Sequence, residues 1–389
     1  MEAQALAAPV NPQAPPPNRR YTLRYASART GRVFGTLPAF SGSGESGLNG
    51  AGSVNIGIGP GQSQALYRKV TPGHTCWLLE WRDGTVRALV DGGLLWNDDA
   101  DASWSLSGSG FLSLLNKRLL IPNVPADQIA AAPDLAYTGL DTGSIMRAIV
   151  AQALSMPNGD LPVTLQPSRP GTRQQAYHGY DLGFVGARLT ELAGQSPNTE
   201  FTLDPRYADD THQFATFDLL TGTETQPQLT STVAHRLNGS APGQQVLKSV
   251  KASRSATDMG TDAYAGGGDQ GASRTIRGAS DTTLTESGWA RMDVVDENDA
   301  TVPATVQAYA DGLRARARFP LRGITCTVDA AWWWANGRKG DQVHATTTGA
   351  ISPALGPIDL TSRVLSVRWD INSTDVELTL ADTTAEEVI

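Results

Sequence analysis

Cysteine is nearly missing from this chain: Cys76 and Cys326, 250 positions apart, are the only two in 389 residues. That count excludes a zinc site built mainly from thiolates. One disulfide is allowed, but nothing requires it. Both cysteines lie in apolar, strand-like stretches, which predicts two free thiols. Charge is scarce too, at 18% of residues, and the basic share is the smaller: 31 Lys and Arg against 39 Asp and Glu leave a net −8. A chain that grips nucleic acid through its phosphates carries the opposite excess. No run approaches 18 consecutive apolar residues, so no transmembrane helix is expected. The first twenty residues, MEAQALAAPVNPQAPPPNRR, carry Glu2 and lack a long apolar core, so they do not read as a secretory signal.

Catalytic patterns are also lacking. His74, His178, His212, His235 and His344 share no metal-ligand spacing, and none sits in an HExxH motif. No serine sits in a GxSxG elbow. NIGIGPGQSQAL, residues 55–66, looks like a phosphate cradle, but no Lys-Ser or Lys-Thr follows its glycines and Pro60-Gly61 is a turn pair. NDDADAS places Asn97, Asp99, Asp101 and Ser103 as in a calcium loop. Ala102 and Gly108 then stand where Gly and Glu are required, so it reads as a solvated loop between strands. His74 and Cys76, two apart on one strand, are placed opposite the packed face. No catalytic, metal or cofactor residue is assigned.

What the chain has in abundance is turn formers, with 40 Gly and 23 Pro, beside 40% apolar residues. That mixture suits a mainly β protein. The prolines before Arg20 predict an extended arm over 1–20. A hairpin is expected from Tyr21 through Phe34, then a Ser/Gly loop over 41–52. Val54, Ile56 and Ile58 alternate as one face of a strand. In CWLLEWRDGTVRALV, Trp77, Leu79 and Trp81 share a face and Asp83-Gly84 is the turn. Pairing Arg82 with Thr85 would set Trp81 opposite Val86, Leu79 opposite Ala88 and Trp77 opposite Val90. A second turn is expected at Asp91-Gly92-Gly93, and Trp104 with Leu106 forms a further inward pair before a short helix at FLSLLNKRLLIP.

The middle changes period. Met146, Ile149, Val150, Ala153 and Leu154 mark one helix face, and Val185, Leu189, Leu192 and Ala193 mark a second. Residues 254–290 read as a long flexible loop. A third helix, PATVQAYADGLRARARF, buries Val306, Tyr309, Ala310, Leu313 and Ala317, with Arg314, Arg316 and Arg318 near its C-terminus, where cations suit the dipole. The end is β again: Ile324, Cys326 and Val328 point inward in phase with Trp332 and Trp334. Trp333 faces the other way, where it either covers a second small core or a helix, or forms an exposed protein interface beside Asn336-Gly337. Leu365, Val367 and Trp369 are answered by Val376, Leu378 and Leu380.

The order RTGRVFGTLPAF, LNGAGSVNIGIG, LLEWRDGTVRALVDGGLLW, SWSLSGSGFLSLLNKRLLIP resembles the opening of minor tail proteins of long-tailed actinobacteriophages, within the baseplate-hub (tail-hub) family. VGARLTELAGQSPNTEFTLD resembles that family's mid-chain helix and strand, and KGDQV with SRVLSVRWDINSTDVELTLAD its C-terminal barrel. The resemblance covers roughly residues 21–382 as order and texture. It implies a mainly β fold of two tail-tube-like antiparallel β-barrel or sandwich domains, 21–125 and 226–389, about a helix-containing middle, 126–225. It implies a non-enzymatic, trimeric tail-tip hub in the virion, joining a hexameric tail-tube or distal-tail ring to the host-recognition tip. Tape measure and receptor-binding proteins would be its neighbours, DNA would only pass through its channel, and no membrane insertion is implied. The competing expectations are a tail-associated cell-wall hydrolase and a carbohydrate-binding tip protein.

Overall fold

The computed structural model describes residues 20–59, 64–84, 86–101, 103–195, 199–229, 234–239, 246–267, 274–297, 303–318, 321–348 and 354–381. The expected proline arm therefore lies outside the described residues save for Arg20, as does the Pro60-Gly61 turn. The chain forms two compact units. The first is residues 1–237, 327–343 and 363–378; the second is 238–326, 344–362 and 379–389. These units are drawn differently from the expected spans, since 226–389 contributes to both. No described helix is long and apolar enough to cross a membrane.

The first unit begins with strands β1 (Tyr21–Ser27), β2 (Val33–Thr36), β3 (Ala39–Gly47) and β4 (Ser53–Ile58) and the single turn α1 (Gln64–Tyr67). Strands β5 (Thr75–Asp83), β6 (Val86–Ala100) and β7 (Trp104–Gly110) and the short α2 (Leu112–Leu115) follow. Within this unit the antiparallel order is β3–β4–β7–β6–β5–β1–β2. Alternation explains β4 directly: Val54, Ile56 and Ile58 are at most 2% exposed, as the period of two requires.

Between the sheet strands the chain builds a helical layer. It holds β8 (Leu135–Leu140), α3 (Thr142–Ser155), β9 (Val163–Leu165), β10 (Pro170–Tyr177), α4 (Val185–Gly194), β11 (Phe201–Tyr207) and β12 (Ala215–Thr221). Asp141 caps α3 by accepting from the Ser144 N–H at 2.6 Å. The apolar stripes of α3 and α4 pack with α2, Tyr177, Phe201 and Leu219 as one core. Leu154, expected on the α3 stripe, lies at its partly buried margin.

The remaining strands are β13 (Ala234–Asn238), β14 (Leu247–Ser255), β15 (Asp262–Gly267), β16 (Thr275–Ser280), β17 (Asp293–Glu297), β18 (Leu321–Asp329), β19 (Gln342–Thr347), β20 (Ile358–Asp370) and β21 (Asp375–Leu380). The helices α5 (Thr282–Glu286), α6 (Pro303–Ala317) and α7 (Ala330–Asn336) lie among them. In the second unit β15 pairs antiparallel with β16 and parallel with β17, and Ala265 packs with Val306 and Ala310 of α6. The flexible loop expected over 254–290 therefore holds two strands of this small sheet and the short α5, although 268–273 lie outside the described residues. Its glycines and alanines suit a strand that a helix must approach closely. Tyr309, expected inside, is 45% exposed.

The Ser/Gly run 41–52 is mostly strand rather than loop. Its glycines clear room for large neighbours. A Cβ on Gly44 would stand 2.5 Å from Trp369 Cζ2 and 2.8 Å from the Ser53 carbonyl oxygen. Gly44→Val is expected to lose about 3 kcal/mol or more through overpacking. Gly50→Ala, whose Cβ would meet only the Leu48 carbonyl oxygen at 3.6 Å, is expected to stay within about 0.5 kcal/mol. Paired urea titrations of the two variants check both values.

The β5–β6 hairpin departs from its expected register. Asp83 pairs with Val86, Arg82 with Arg87 and Trp81 with Ala88, and then a bulge shifts the phase so that Leu79 pairs with Asp91 and Trp77 with Gly93. Gly84 takes φ +56° at the turn, while Thr85 lies outside the described residues. Asp91-Gly92-Gly93 is mid-strand, not a turn. Asp91 and Gly92 pair with β5, Gly93 and Leu94 pair with both β5 and β7, and β6 beyond Leu94 pairs with β7.

Candidate functional site

Two buried charge clusters stand out in the first unit. In the first, the sheet curls far enough that Trp369, on the part of β20 that pairs with β3, reaches β6. Its indole Nε1 donates to Asp91 Oδ2 at 2.6 Å, and the Gly92 N–H donates to Asp91 Oδ1 at 2.8 Å. The Trp369 and Trp77 rings lie 5.8 Å apart, both 1% exposed. Burial pushes the Asp91 carboxyl up to about 6, against the pull of nearby Lys339 and of the Trp369 hydrogen bond. Lys339 is held by Asp204 at 2.8 Å. Its ammonium is itself raised: burial works against the charged form, and the Asp204 and Asp91 carboxylates outweigh it.

The second cluster centres on Glu80, fully buried in β5. Arg24 Nε donates to its Oε2 at 2.8 Å, Arg87 reaches it at 3.2 Å, and Arg82 and the Tyr207 hydroxyl donate to it as well. Burial alone would raise this carboxyl, but the Tyr207, Arg82 and Arg24 contacts together hold it below the ordinary range. Each carboxylate is taken up in an ion-pair and hydrogen-bond network: Asp91 with Trp369 and the Gly92 N–H, Glu80 with three arginines and Tyr207.

An open groove of about 310 Å³ lies among β3, β4, β7 and the end of β20, lined by Ser41, Ser43, Asn55, Ser105, Ser107 and Asp370. It presents hydroxyls, one amide and one carboxylate.

The residues singled out from the sequence fall elsewhere. Trp333 is fully buried and sits in α7, not on an exposed strand face. Asp329 caps that helix by accepting from the Trp332 N–H at 2.9 Å, and Trp333, the middle of the three tryptophans, is turned inward. Cys76 and Cys326 are buried free thiols, each pushed well up by burial. Cys76 does not face solvent opposite the tryptophans: it packs with Leu78, Ala26, Phe111 and Phe217 in a second core, so β5 is covered on both faces. NDDADAS forms the end of β6 and its turn into β7, with Ala102 outside the described residues. Arg314 and Arg318 pair with Asp281, at 3.6 and 2.9 Å. Among the described residues no group of three His, Cys, Asp or Glu is placed to hold a metal ion.

Sequence reasoning passed over Glu80 and Asp91. The available signal for Glu80 was a lone acid inside the apolar run LLEW. Asp91 gave none, because Asp-Gly-Gly is also a turn sequence.

No protein-family model matches the chain, and no curated protein matches it in sequence. Solved structures match it in fold. The tail protein from Neisseria meningitidis MC58 superposes with a TM-score of 0.53 at 17% identity, covering 93% of this chain and 96% of that one. The 43 kDa tail protein of prophage MuSo2 from Shewanella oneidensis gives 0.54 at 12% identity, covering 93% and 98%. At these identities the likeness is one of fold: mainly β, with large antiparallel sheets, as in these tail proteins.

Proposed function

We propose that the chain is a structural component of a phage tail tip, a hub of the baseplate type. It would assemble as a trimer that joins a hexameric tail-tube or distal-tail ring to the host-recognition proteins. The tape measure protein would lie above it and DNA would pass through its centre, with no catalytic role. The observation that carries this reading is the near end-to-end match, in both directions, to two solved tail proteins. A catalytic module grafted onto a tail fold would leave a large unmatched segment. The net charge of −8 also suits a passage that DNA leaves without adhering. The expected result is three copies of the chain per purified particle, counted by quantitative mass spectrometry against the tail-tube protein. Dozens of copies would make it a tube or decoration component, and absence from particles would overturn the structural reading.

A further inference from the structure

Charges of opposite sign stand at the two ends of β6. At the start of β6, Arg87 stands directly opposite Arg82 across the hairpin, a like-charge pairing that costs stability unless an anion lies between. Glu80 supplies one carboxylate to three guanidiniums, counting Arg24, so two positive charges are left over. The Arg82 and Arg87 side chains keep 41% and 32% of their surface exposed. At the other end of β6 and its turn, Asp98, Asp99 and Asp101 reach solvent, with no ion pair to any of them among the described residues. Arg87 and Asp99 are twelve positions apart on the strand, at most about 40 Å at 3.3 Å per residue. That is several Debye lengths, about 8 Å each at physiological salt, so the two clusters do not neutralise one another within one chain.

We propose that the arginine cluster is the docking surface for the acidic β6–β7 hairpin of a second copy of this chain. The contact is heterologous, head to tail, and such contacts form a ring when the rotation closes. The inference rests on the trimeric reading above and names the surfaces that meet. Complementary charge also fixes register and suppresses wrong pairings. The alternative occupant of the cluster, a nucleic-acid phosphate backbone, is disfavoured by the acidic excess of the whole chain.

The test is site-directed disulfide trapping in the full chain. Arg82→Cys still leaves Glu80 two guanidiniums and the Tyr207 hydroxyl, and Asp99 is exposed, so both variants are expected to keep the fold. The native thiols are buried and do not compete. A mixture of the Arg82→Cys and Asp99→Cys proteins is expected to give covalent dimers under mild oxidation, while each alone stays monomeric. The double variant is expected to give a ladder that stops at three. A ladder that runs past three keeps the contact and overturns the trimer. No cross-link in the mixture, or Arg82→Cys linking to itself, overturns the contact whatever the copy number per particle. As a second readout, Asp98→Lys/Asp99→Lys/Asp101→Lys is expected to weaken self-association about tenfold or more at low ionic strength. Unchanged association would overturn the proposal. So would duplex DNA binding by the wild type that is lost in Arg82→Gln/Arg87→Gln.

Discussion

Trp369→Ala is expected to be the most damaging single substitution in the first unit, costing about 5 kcal/mol. Truncating a buried tryptophan costs about 3–5 kcal/mol in lost transfer energy and residual cavity. Here the upper end applies, because the indole also supplies the 2.6 Å hydrogen bond to Asp91, itself 3% exposed. Trp369→Phe separates the two contributions, since it keeps most of the ring and removes the donor. A hydrogen bond to a charged group contributes about 1.5–3 kcal/mol, and its loss should depend on pH in a definite direction. The folded-state value of Asp91 is raised to about 6, above its ordinary value. Its contribution to stability is therefore intact below about pH 4 and is lost as pH rises toward 6, where the buried carboxyl ionises. Without the indole N–H the folded value climbs further. The deficit of Trp369→Phe should therefore be larger at pH 8 than at pH 5. A deficit independent of pH would show that Asp91 is not ionised in the fold. Tryptophan fluorescence during urea unfolding reads this unit selectively, because Trp289 is the only one of nine tryptophans outside it.

Glu80→Gln should be nearly as costly, at about 3–5 kcal/mol, the usual penalty for removing one partner of a buried ionic network. The amide keeps the shape and one acceptor, but three guanidiniums then converge on a neutral group. The pH signature is opposite to that of Asp91. The folded-state value of Glu80 is held below its ordinary value, so its contribution is complete above about pH 4.5 and is lost as pH falls through the folded value. Wild type and Glu80→Gln should therefore converge in acid and differ most near neutrality. Added salt should change the difference little, because the carboxylate is fully buried and buried pairs are poorly screened. A difference that disappears in high salt would show the cluster to be solvated.

Much of the architecture was legible because local period and burial agree. The alternation of Val54, Ile56 and Ile58 and the helical stripes of α3 and α4 describe faces that the fold does bury. The misreadings of β3, β6 and β15 share one cause. Gly, Ser and Asp-Gly favour turns on their own, but a strand with partners on both edges has its backbone groups satisfied there and takes such residues where a neighbour needs space. That is why β3 is a strand under Trp369, why β6 runs straight through Asp91-Gly92-Gly93, and why β15 lies under α6. Trp332, Trp333 and Trp334 failed differently: alternation was carried past Asp329, whose side chain caps a helix and changes the period from 2 to 3.6. In β20, the successive burial of Ser366 and Val367 shifts the phase, leaving Leu365 38% exposed while Val364, Val367 and Trp369 are inside.

By itself the sequence determined the mainly β class, the placing of α3, α4 and α6, the two free thiols and the lack of catalytic motifs, because these follow from composition and short-range periodicity. Only the tertiary structure decided the register of β5 against β6, the burial of Trp333 and the two ionic clusters. Each cluster depends on residues far apart in sequence: Tyr207, from the separate sheet of β11, meets Glu80, and Trp369 of β20 meets Asp91 of β6. No local pattern encodes such meetings. They become visible only when the buried charge and its distant partner are seen in one place.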